Sequence, residues 1–319
     1  MLSRTADHLF WMSRYTERAE NTARMLNVNH EAALLPQSSA MAQIGWQGLL
    51  TISELLPIYT QSHDAITASN VMAFMVKDLG NPSSILSCLG AARENARAVR
   101  GALTTEVWET LNQTWLEVNR MLQGGEFERE PSQFFEWVKH RSHLSRGVTV
   151  GTMLMDEAFH FLRLGTFLER ADNTARLVDV KFHAVPNDFF GITNHKGQEF
   201  DFYHWSGILR SVSGFEVYRK VYRDVIRPER VAELLILRAD MPRSLHASMN
   251  EVVSNLAMLA NEQSSETERL AGKLCADLKY GRIDEILDTG LHAYLTQFLD
   301  RINDLGSRIS RTFLVTEMT

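Results

Sequence analysis

The sequence is poor in cysteine and in long apolar runs, and each shortage excludes a class of protein. Cys88 and Cys275 are the only cysteines among 319 residues, which excludes a disulfide framework and a zinc site built from Cys-x-x-Cys pairs. No apolar run approaches the ~20 residues that a membrane-spanning helix needs. Charged residues such as Arg4, Asp7 and Arg14 interrupt the segment where a signal peptide would have its apolar core. The sequence therefore predicts a cytoplasmic protein with no membrane partner.

An excess of positive charge is also missing. The chain has 33 Lys and Arg against 39 Asp and Glu, which gives a net charge of −6 and argues against a nucleic-acid partner. The hydrophobic fraction of 45% is too high for a disordered chain. The length allows two domains or one large one, with a sizeable buried core.

Proline is scarce, and apolar residues recur every three or four positions between the seven prolines. No segment alternates as a strand would, so we predict an all-α fold. The predicted helices cover residues 3–35, 40–56, 64–79, 83–123 with a break near Gly101, 131–145, 147–183, 201–223, 229–239, 242–260, 263–279 and 288–314.

One polar segment occurs twice. Residues 17–24 read ERAENTAR and residues 169–176 read ERADNTAR, identical at seven of eight positions. Shorter echoes follow in the same order, among them Asn81-Pro82-Ser83 and Met241-Pro242-Arg243. We predict two related helical-bundle halves, residues 1–145 and 147–319, packed as one unit with approximate twofold pseudo-symmetry. The alternative is that short helical motifs recur by chance.

The repeated segment places charged residues where a helix brings them together. Residues four apart, such as Glu17 and Asn21 or Glu20 and Arg24, are neighbours on a helix surface and can touch. Large apolar residues on both sides of the helix predict that the charged groups are partly buried. Two interpretations stay open: ion pairs that fix how the two motif helices meet, or a cleft whose guanidinium groups bind a carboxylate or phosphate. The candidate binding residues are Arg14, Arg18, Asn21, Arg24, Arg97, Arg170, Asn173 and Arg176.

The two copies differ at one charged position, because Thr166 stands where the first copy has Arg14. Arg97 belongs to a second basic group, residues 93–100, whose arginines share one helical face. That face is either solvated, as charge runs on helices usually are, or it extends the polar network of the motif helices.

No known catalytic or cofactor motif is present. The pair Glu157-x-x-His160 has the spacing of helical carboxylate metal sites, but the first copy has Thr5 in place of Glu157, so half of the ligand set is missing. There is no P-loop, G-x-G-x-x-G, G-x-S-x-G or H-E-x-x-H motif. We therefore expect no metal and no cofactor.

The segment 184–200 is the least helical part of the chain, and the aromatic residues in and after it form a loop-borne group. This group either docks a partner or fills the gap between the two halves.

Three segments resemble a known family: LFWMSRYTERAENTAR, NPSSILSCLGAARENARAVR and FLRLGTFLERADNTAR. They are similar to the alpha-E family, a bacterial all-helical domain with a Glu-Arg motif, which maps here to Glu17-Arg18 and Glu169-Arg170. The resemblance implies partners, because family members are typically encoded beside, or fused to, ATP-grasp-type amide-bond ligases. Transglutaminase-like proteins and a proteasome-like peptidase also occur nearby.

From this resemblance and the lack of a catalytic motif we predict an accessory or partner protein of an ATP-grasp-type peptide ligase, which presents or binds an amino-acid or peptide substrate. An alternative is an enzyme whose arginines hold such a substrate while Glu17 or Glu169 acts as general acid or base. A third is a structural homo-oligomer.

Overall fold

The computed structural model describes residues 1–34, 39–183 and 204–314, and within these ranges all regular secondary structure is helical. This confirms the all-α prediction. The α-helices are α1 (Ser3–Ala33), α2 (Ser39–Ile52), α3 (Leu56–Ser62), α4 (Ala68–Lys77), α5 (Ile85–Ala98), α6 (Thr105–Gln123), α7 (Glu126–Arg129), α8 (Pro131–Thr152), α9 (Glu157–His183), α10 (204–211), α11 (Phe215–Tyr222), α12 (Pro228–Ile236), α13 (Leu245–Met258), α14 (Ser265–Tyr280), α15 (Ile283–Thr289) and α16 (Leu291–Ile309). A short 3₁₀ turn, Arg100–Ala102, follows α5, and a π-helical turn, Ser310–Leu314, extends α16.

Hydroxyl side chains mark the start of several helices. The Ser84 hydroxyl accepts a hydrogen bond from the Ser87 amide at 3.2 Å at the start of α5, and Ser244 accepts one from the Ala247 amide at 2.9 Å at the start of α13. Each bond satisfies a backbone donor that the first helical turn leaves free, worth about 1 kcal/mol. The break near Gly101, predicted from the sequence, is confirmed by the 3₁₀ turn.

The predicted break between residues 145 and 147 is wrong, because α8 continues through Gly147 to Thr152. A glycine inside a helix costs only about 1 kcal/mol, so it does not end one by itself. The chain turns at residues 153–156 instead, where the Asp156 carboxylate accepts hydrogen bonds from the Ala158 and Phe159 amides and so begins α9. The boundary proposed between the two halves therefore falls inside a helix.

Other predicted helices also need correction. The predicted helix 64–79 begins only at Ala68, and the predicted helix 201–223 is, from residue 204 onward, two helices separated at Ser213, whose φ of 52° lies outside the helical region. Helices α3, α7 and α15 were not predicted. Each has at most seven residues, which is too short for apolar spacing to distinguish it from a connection.

The two motif helices, α1 and α9, pack against each other. They approach each other closely at Gly165, where an added Cβ would lie 2.3 Å from both the Phe10 carbonyl oxygen and the Ser13 hydroxyl. Only glycine allows two backbones to approach so closely. The glycine in FLRLGTFLERADNTAR therefore sets the distance between the two charged segments.

Each motif helix is part of a ring of four. Helices α1, α5, α6 and α8 contact one another in that cyclic order, and helices α9, α13, α14 and α16 do the same. Buried leucines such as Leu9 and Leu26 on α1 and Leu164 and Leu168 on α9 contribute to one continuous core. Both α1 and α9 are thus surrounded on several sides, which places their charged residues in the interior.

No helix among the described residues is long and apolar enough to span a bilayer. The aromatic segment 184–200 lies outside the described residues. Trp205, the last aromatic residue of that group, is buried in α10.

Candidate functional site

The centre of the molecule holds a buried group of ion pairs between α1 and its neighbours. Glu17 is only 1% exposed and receives a two-pronged bond from Arg170 on α9, whose Nε and Nη2 atoms donate to its two carboxylate oxygens at 3.0 Å each. Arg243, just before α13, donates to the same carboxylate at 2.9 Å, and Arg146 on α8 donates at 3.0 Å. Three helices and the connection before α13 therefore meet at one carboxylate.

Glu20, one turn further along α1, is fully buried and equally saturated. Its oxygens accept hydrogen bonds from Arg24 at 2.9 Å, from Arg243 at 2.5 Å and from the Ser142 hydroxyl at 2.6 Å. Arg146 donates to it as well. We call this group the inner cluster: Glu17, Glu20, Arg24, Arg146, Arg170 and Arg243.

The inner cluster holds two carboxylates and four guanidinium groups. Burial alone would raise the pKa of Glu17, but Arg170 and Arg243 hold it below its ordinary value. Arg243 and Arg146 likewise overcome burial and hold the pKa of Glu20 well below its ordinary value. Burial lowers the pKa of Arg243 to about 10, which still leaves it charged at neutral pH. Glu17, Glu20 and Arg243 are therefore charged at neutral pH, and breaking a buried pair of this kind costs about 3–5 kcal/mol.

Glu169 on α9 makes the reciprocal pair. Arg18 on α1 donates through Nε and Nη2 at 2.6 and 3.0 Å, and Arg14 donates through Nε at 2.8 Å. Burial opposes ionisation, but Arg14 and Arg18 together hold the pKa of Glu169 at about 2. The dipeptides Glu17-Arg18 and Glu169-Arg170 thus cross between the two helices, each glutamate bound by the other dipeptide's arginine.

Asp172 completes the outer side of this arrangement. Arg176 donates to both of its oxygens, at 2.9 and 3.0 Å, and also pairs with Glu54 at 2.5 Å, which is 70% exposed at the end of α2. Burial raises the pKa of Asp172 in spite of Arg176, in contrast to the lowered pKa of Glu20. We call this group the outer cluster: Glu169, Asp172, Arg14, Arg18 and Arg176.

The outer cluster borders a cavity of about 260 Å³, here called the cleft. Besides those five residues, its lining includes Asn21 and Asn173 from the two motifs, Ser83 before α5, Glu54, and Asn303 on α16. Asn21 is 3% exposed, and its Oδ1 accepts a hydrogen bond from Arg243 at 2.8 Å. Its Nδ2 has no partner among the described residues. A buried donor without a partner costs roughly 1–3 kcal/mol, and this donor belongs to a residue that lines the cleft.

Arg14 also has donors to spare. Its guanidinium stacks 4.9 Å from the centre of the Trp11 ring and uses Nε for Glu169, while Nη1 and Nη2 make no hydrogen bond within residues 1–34, 39–183 and 204–314. A second cavity of about 300 Å³ shares Arg14, Asp172 and Asn303 with the cleft. Both cavities therefore meet at Arg14.

The structure divides the residues predicted from the sequence between two environments. Glu17, Arg24 and Arg170 belong to the saturated inner cluster, whereas Arg14, Arg18, Glu169, Asn173 and Arg176 line the cleft, and Asn21 touches both. Arg97 belongs to neither: it is 66% exposed and pairs with Glu94 at 3.5 Å on the surface of α5. For Arg97, the solvated-face interpretation is the one that fits.

Sequence reasoning missed the two arginines that close the inner cluster. Arg243 lies in a connection, and Arg146 lies on α8, far from either motif in the sequence. The repeat of Pro82-Ser83 as Pro242-Arg243 includes Arg243, but the distance between Arg243 and the motifs along the sequence does not predict that it reaches Glu17.

The histidine of the Glu157-x-x-His160 pair bonds an asparagine, as does its counterpart His8 on α1. His160 bonds Asn255 at 2.8 Å, and His8 bonds Asn95 at 2.7 Å in the matching place on α1. Within the described part of the chain, no group of three or more His, Cys, Asp or Glu side chains is arranged to hold a metal ion. Cys88 is buried, which raises the pKa of its thiol to about 12.

The cleft presents charged groups and hydrogen-bonding groups of both kinds, donors and acceptors. A general acid or base at neutral pH needs a pKa near 7, and the arginines around Glu17 and Glu169 shift both carboxylates the other way. The unused donors of Asn21 and Arg14 suit a carboxylate or carbonyl oxygen. The acceptors Asp172, Asn173 and Glu54 lie in the same cleft and suit a cationic group.

Comparison with known proteins gives a family without an assigned activity. The model of the Alpha-E family, a predicted alpha-helical domain with a conserved ER motif, matches residues 1–314. Uncharacterized proteins of Mycobacterium bovis and Mycobacterium tuberculosis are 24% identical to the chain over 328 aligned positions. These matches cover 94% of the chain and 35% of each relative, so the chain spans about a third of the length of the curated relatives it matches. No solved structure matches the chain.

Proposed function

This chain belongs to the Alpha-E family, and on that premise we propose that it binds an amino acid or short peptide in the cleft and works as the accessory partner of an ATP-grasp-type peptide ligase. The observation that carries the proposal is the cleft itself, lined by charges of both signs and by Asn21, whose buried Nδ2 has no partner among the described residues. A ligand that has both a carboxylate and an ammonium or guanidinium group suits the donors of the cleft with the first group and its acceptors with the second.

The size of the cleft supports a small ligand. Pockets for drug-sized molecules are roughly 300–1,000 Å³, and the cleft has about 260 Å³. The carboxylates of the inner cluster are fully hydrogen-bonded and have no free position for a ligand. Their bonds hold α1 and α9 in one register, which fixes the shape of the cleft. The inner cluster therefore preorganises the cleft for its ligand.

Two findings support a partner. The family's Glu-Arg motif is accounted for here by crossed ion pairs rather than by catalytic groups, so chemistry on the bound molecule falls to another protein. The curated relatives carry about two thirds of their length outside the matched part, as expected of a domain that works beside others. The resemblance to proteins encoded next to ATP-grasp-type ligases, and near transglutaminase-like proteins, names the candidates.

We further propose that the two rings of four helices descend from one duplicated bundle and are related by an approximate twofold axis near Gly165. Matched contacts support this. Arg18 and Arg170 make the same two-pronged bond to opposite glutamates, and His8 and His160 bond Asn95 and Asn255 at nearly equal distances.

The enzyme alternative has one observation in its favour: burial raises the pKa of Asp172, which lines the cleft. The homo-oligomer alternative does not involve the cleft. Light scattering of the purified chain measures its oligomeric state and tests this alternative.

Binding is tested by isothermal titration calorimetry and thermal unfolding with the twenty amino acids and a set of dipeptides. Ligand at 100 times Kd stabilises the folded state by about 2.7 kcal/mol, so at least one compound should raise Tm by several degrees. Arg14→Met keeps the apolar stem against Trp11 but removes the spare donors, and should weaken binding at least tenfold.

Arg97→Met is the matched control, since it removes one arginine from an exposed face and should leave Kd unchanged. Absence of any Tm shift or heat across the whole panel contradicts the proposal. The ligase role is tested by co-expression with the neighbouring ATP-grasp protein: amino-acid-dependent ATP consumption should need this chain and fall with Arg14→Met. Equal consumption with and without the chain would refute the partnership.

A further inference from the structure

The outer cluster is one guanidinium group short of the inner cluster. In the inner cluster four arginines surround Glu17 and Glu20, whereas in the outer cluster three arginines surround Glu169 and Asp172. The carboxylates occupy matching positions of the two ERA-x-NTAR segments, Glu17 with Glu169 and Glu20 with Asp172. The positions of the outer cluster can therefore be matched one by one to those of the inner cluster.

Arg243 and Arg146 both lack a counterpart in the outer cluster, whereas Arg14 is extra there because Thr166 stands at its matching position. The position beside Asn173 is the one that matches Arg243, which lies beside Asn21. That arginine follows Pro242, and Ser83 follows Pro82 at the equivalent place before α5. The matching arginines reach the same two connections: Arg170 Nη1 donates to the Pro242 carbonyl, and Arg18 Nη1 donates to the hydroxyl of Ser83, one residue after the matching proline, both at 3.4 Å. Where the long Arg243 side chain fills the inner cluster, the short Ser83 side chain lines the cleft instead.

The acceptors that Arg243 uses have counterparts in the cleft. Arg243 donates to Glu17, to Asn21 Oδ1 and to Glu20. By the same motif positions the cleft offers Glu169, Asn173 and Asp172. The Asn173 side chain makes no hydrogen bond within the described residues, and Glu169 Oε1 accepts only the one from Arg18.

The neighbouring helix is also more open on this side. Helix α8 brings His143 and Arg146 against the inner cluster. Helix α16, in the equivalent place of the second ring, brings Asn303 and Gly306 to the two cavities. A short amide and a glycine leave room where the first ring has an imidazole and a guanidinium.

We propose that the cleft takes a guanidinium group supplied by the ligand, free arginine or an arginine side chain of a peptide, which binds Glu169, Asp172 and Asn173 as Arg243 binds Glu17, Glu20 and Asn21. This inference rests on the proposed function and narrows its substrate class. The planar fork of a guanidinium matches several carboxyl and amide oxygens at once, which a single ammonium does not. The ligand's carboxylate or carbonyl oxygen then falls to the spare donors of Asn21 and Arg14.

The test compares L-arginine, agmatine, L-citrulline and L-lysine by isothermal titration calorimetry. Citrulline has nearly the shape of arginine but no charge. We expect arginine to bind at least tenfold more tightly than citrulline or lysine, and agmatine to keep the charge-dependent part of the affinity. If citrulline or lysine equals arginine while amino acids still bind in an Arg14-dependent way, the guanidinium inference is wrong and the proposed function stands. If no compound binds, both are wrong.

Two variants test the place of binding. Ser83→Arg supplies the missing guanidinium within the chain and should reduce arginine affinity at least tenfold, whereas Ser83→Ala should not. Arg243→Ser creates a matching vacancy in the inner cluster, so millimolar agmatine should raise its Tm more than that of the unaltered chain. Equal arginine affinity of Ser83→Arg and Ser83→Ala overturns the proposal; if Ser83→Arg does not fold, failure of agmatine to rescue Arg243→Ser overturns it.

Discussion

Replacing Glu169 by glutamine removes a carboxylate whose ionised form the structure stabilises strongly. Arg14 and Arg18 overcome the effect of burial and keep the pKa of Glu169 at about 2, against an ordinary value of 4.5. At 1.36 kcal/mol for each pH unit, this difference corresponds to about 3 kcal/mol of stability. The Glu169 side chain is 5% exposed, so water screens little of it. We expect Glu169→Gln to lower the free energy of unfolding at pH 7 by about 3 kcal/mol, because it leaves both arginines without their carboxylate.

The pH dependence follows from the direction of the shift. A carboxylate whose pKa is lower in the folded state contributes its full stability above the unfolded pKa, and loses it as pH falls through the folded pKa. For Glu169 the window runs from about pH 4.5 down to about pH 2. The difference in unfolding free energy between the unaltered chain and Glu169→Gln should therefore be constant from pH 7 to 5.5 and nearly vanish at pH 2.

Urea unfolding followed by tryptophan fluorescence measures this difference, since the chain has six tryptophans. Glu54→Gln is the control: Glu54 pairs with Arg176 but is 70% exposed, and an exposed pair is worth about 0–1 kcal/mol. Either of two results would refute the reasoning. One is a loss below about 1 kcal/mol for Glu169→Gln at pH 7. The other is a loss that stays the same at pH 2.5.

Other predictions concern the core. Gly165→Ala should destabilise the chain by about 1–3 kcal/mol or more, because its Cβ would lie 2.3 Å from atoms of α1; thermal unfolding measures the loss, and Gly147→Ala, with open space around it, is the control that should not lower Tm. Cys88, buried and with a thiol pKa raised to about 12, should resist maleimide labelling at pH 7 until the chain unfolds, while half-buried Cys275 reacts first. Mass spectrometry of the labelled peptides decides this, and rapid labelling of Cys88 in the native chain would contradict the packing.

The sequence predicted the helical class and the first motif helix well, because the apolar spacing of that helix runs without interruption over many turns. The second motif helix, predicted from residue 147, begins only at Glu157. The first predicted helix, 3–35, is observed as Ser3–Ala33. Short connections were the failure. The turn at residues 153–156 depends on one aspartate cap, and the periodicity on either side of it does not reveal the position of Asp156.

The charged residues show a different limit. Spacing on a helix correctly indicated that Glu20 and Arg24 touch, since they are four residues apart on one helix. It could not indicate that Arg170 reaches Glu17 or that Arg18 reaches Glu169, because those bonds depend on how α1 and α9 cross. From the sequence, ion pairing and ligand binding were alternatives. The structure contains both arrangements: the inner cluster, whose carboxylates are fully hydrogen-bonded, and the outer cluster, which borders the cleft.

The distribution of charge over the whole molecule bears on what reaches the cleft. The inner and outer clusters together hold seven arginines against four carboxylates, a surplus of three positive charges in a chain of net charge −6. The remaining charged residues therefore carry a net −9, and most of them lie nearer the surface. An acidic surface raises the local concentration of small cations and repels polyanions. A guanidinium compound approaches such a surface faster at low salt, so the association rate of arginine should fall as ionic strength rises, whereas that of neutral citrulline should not.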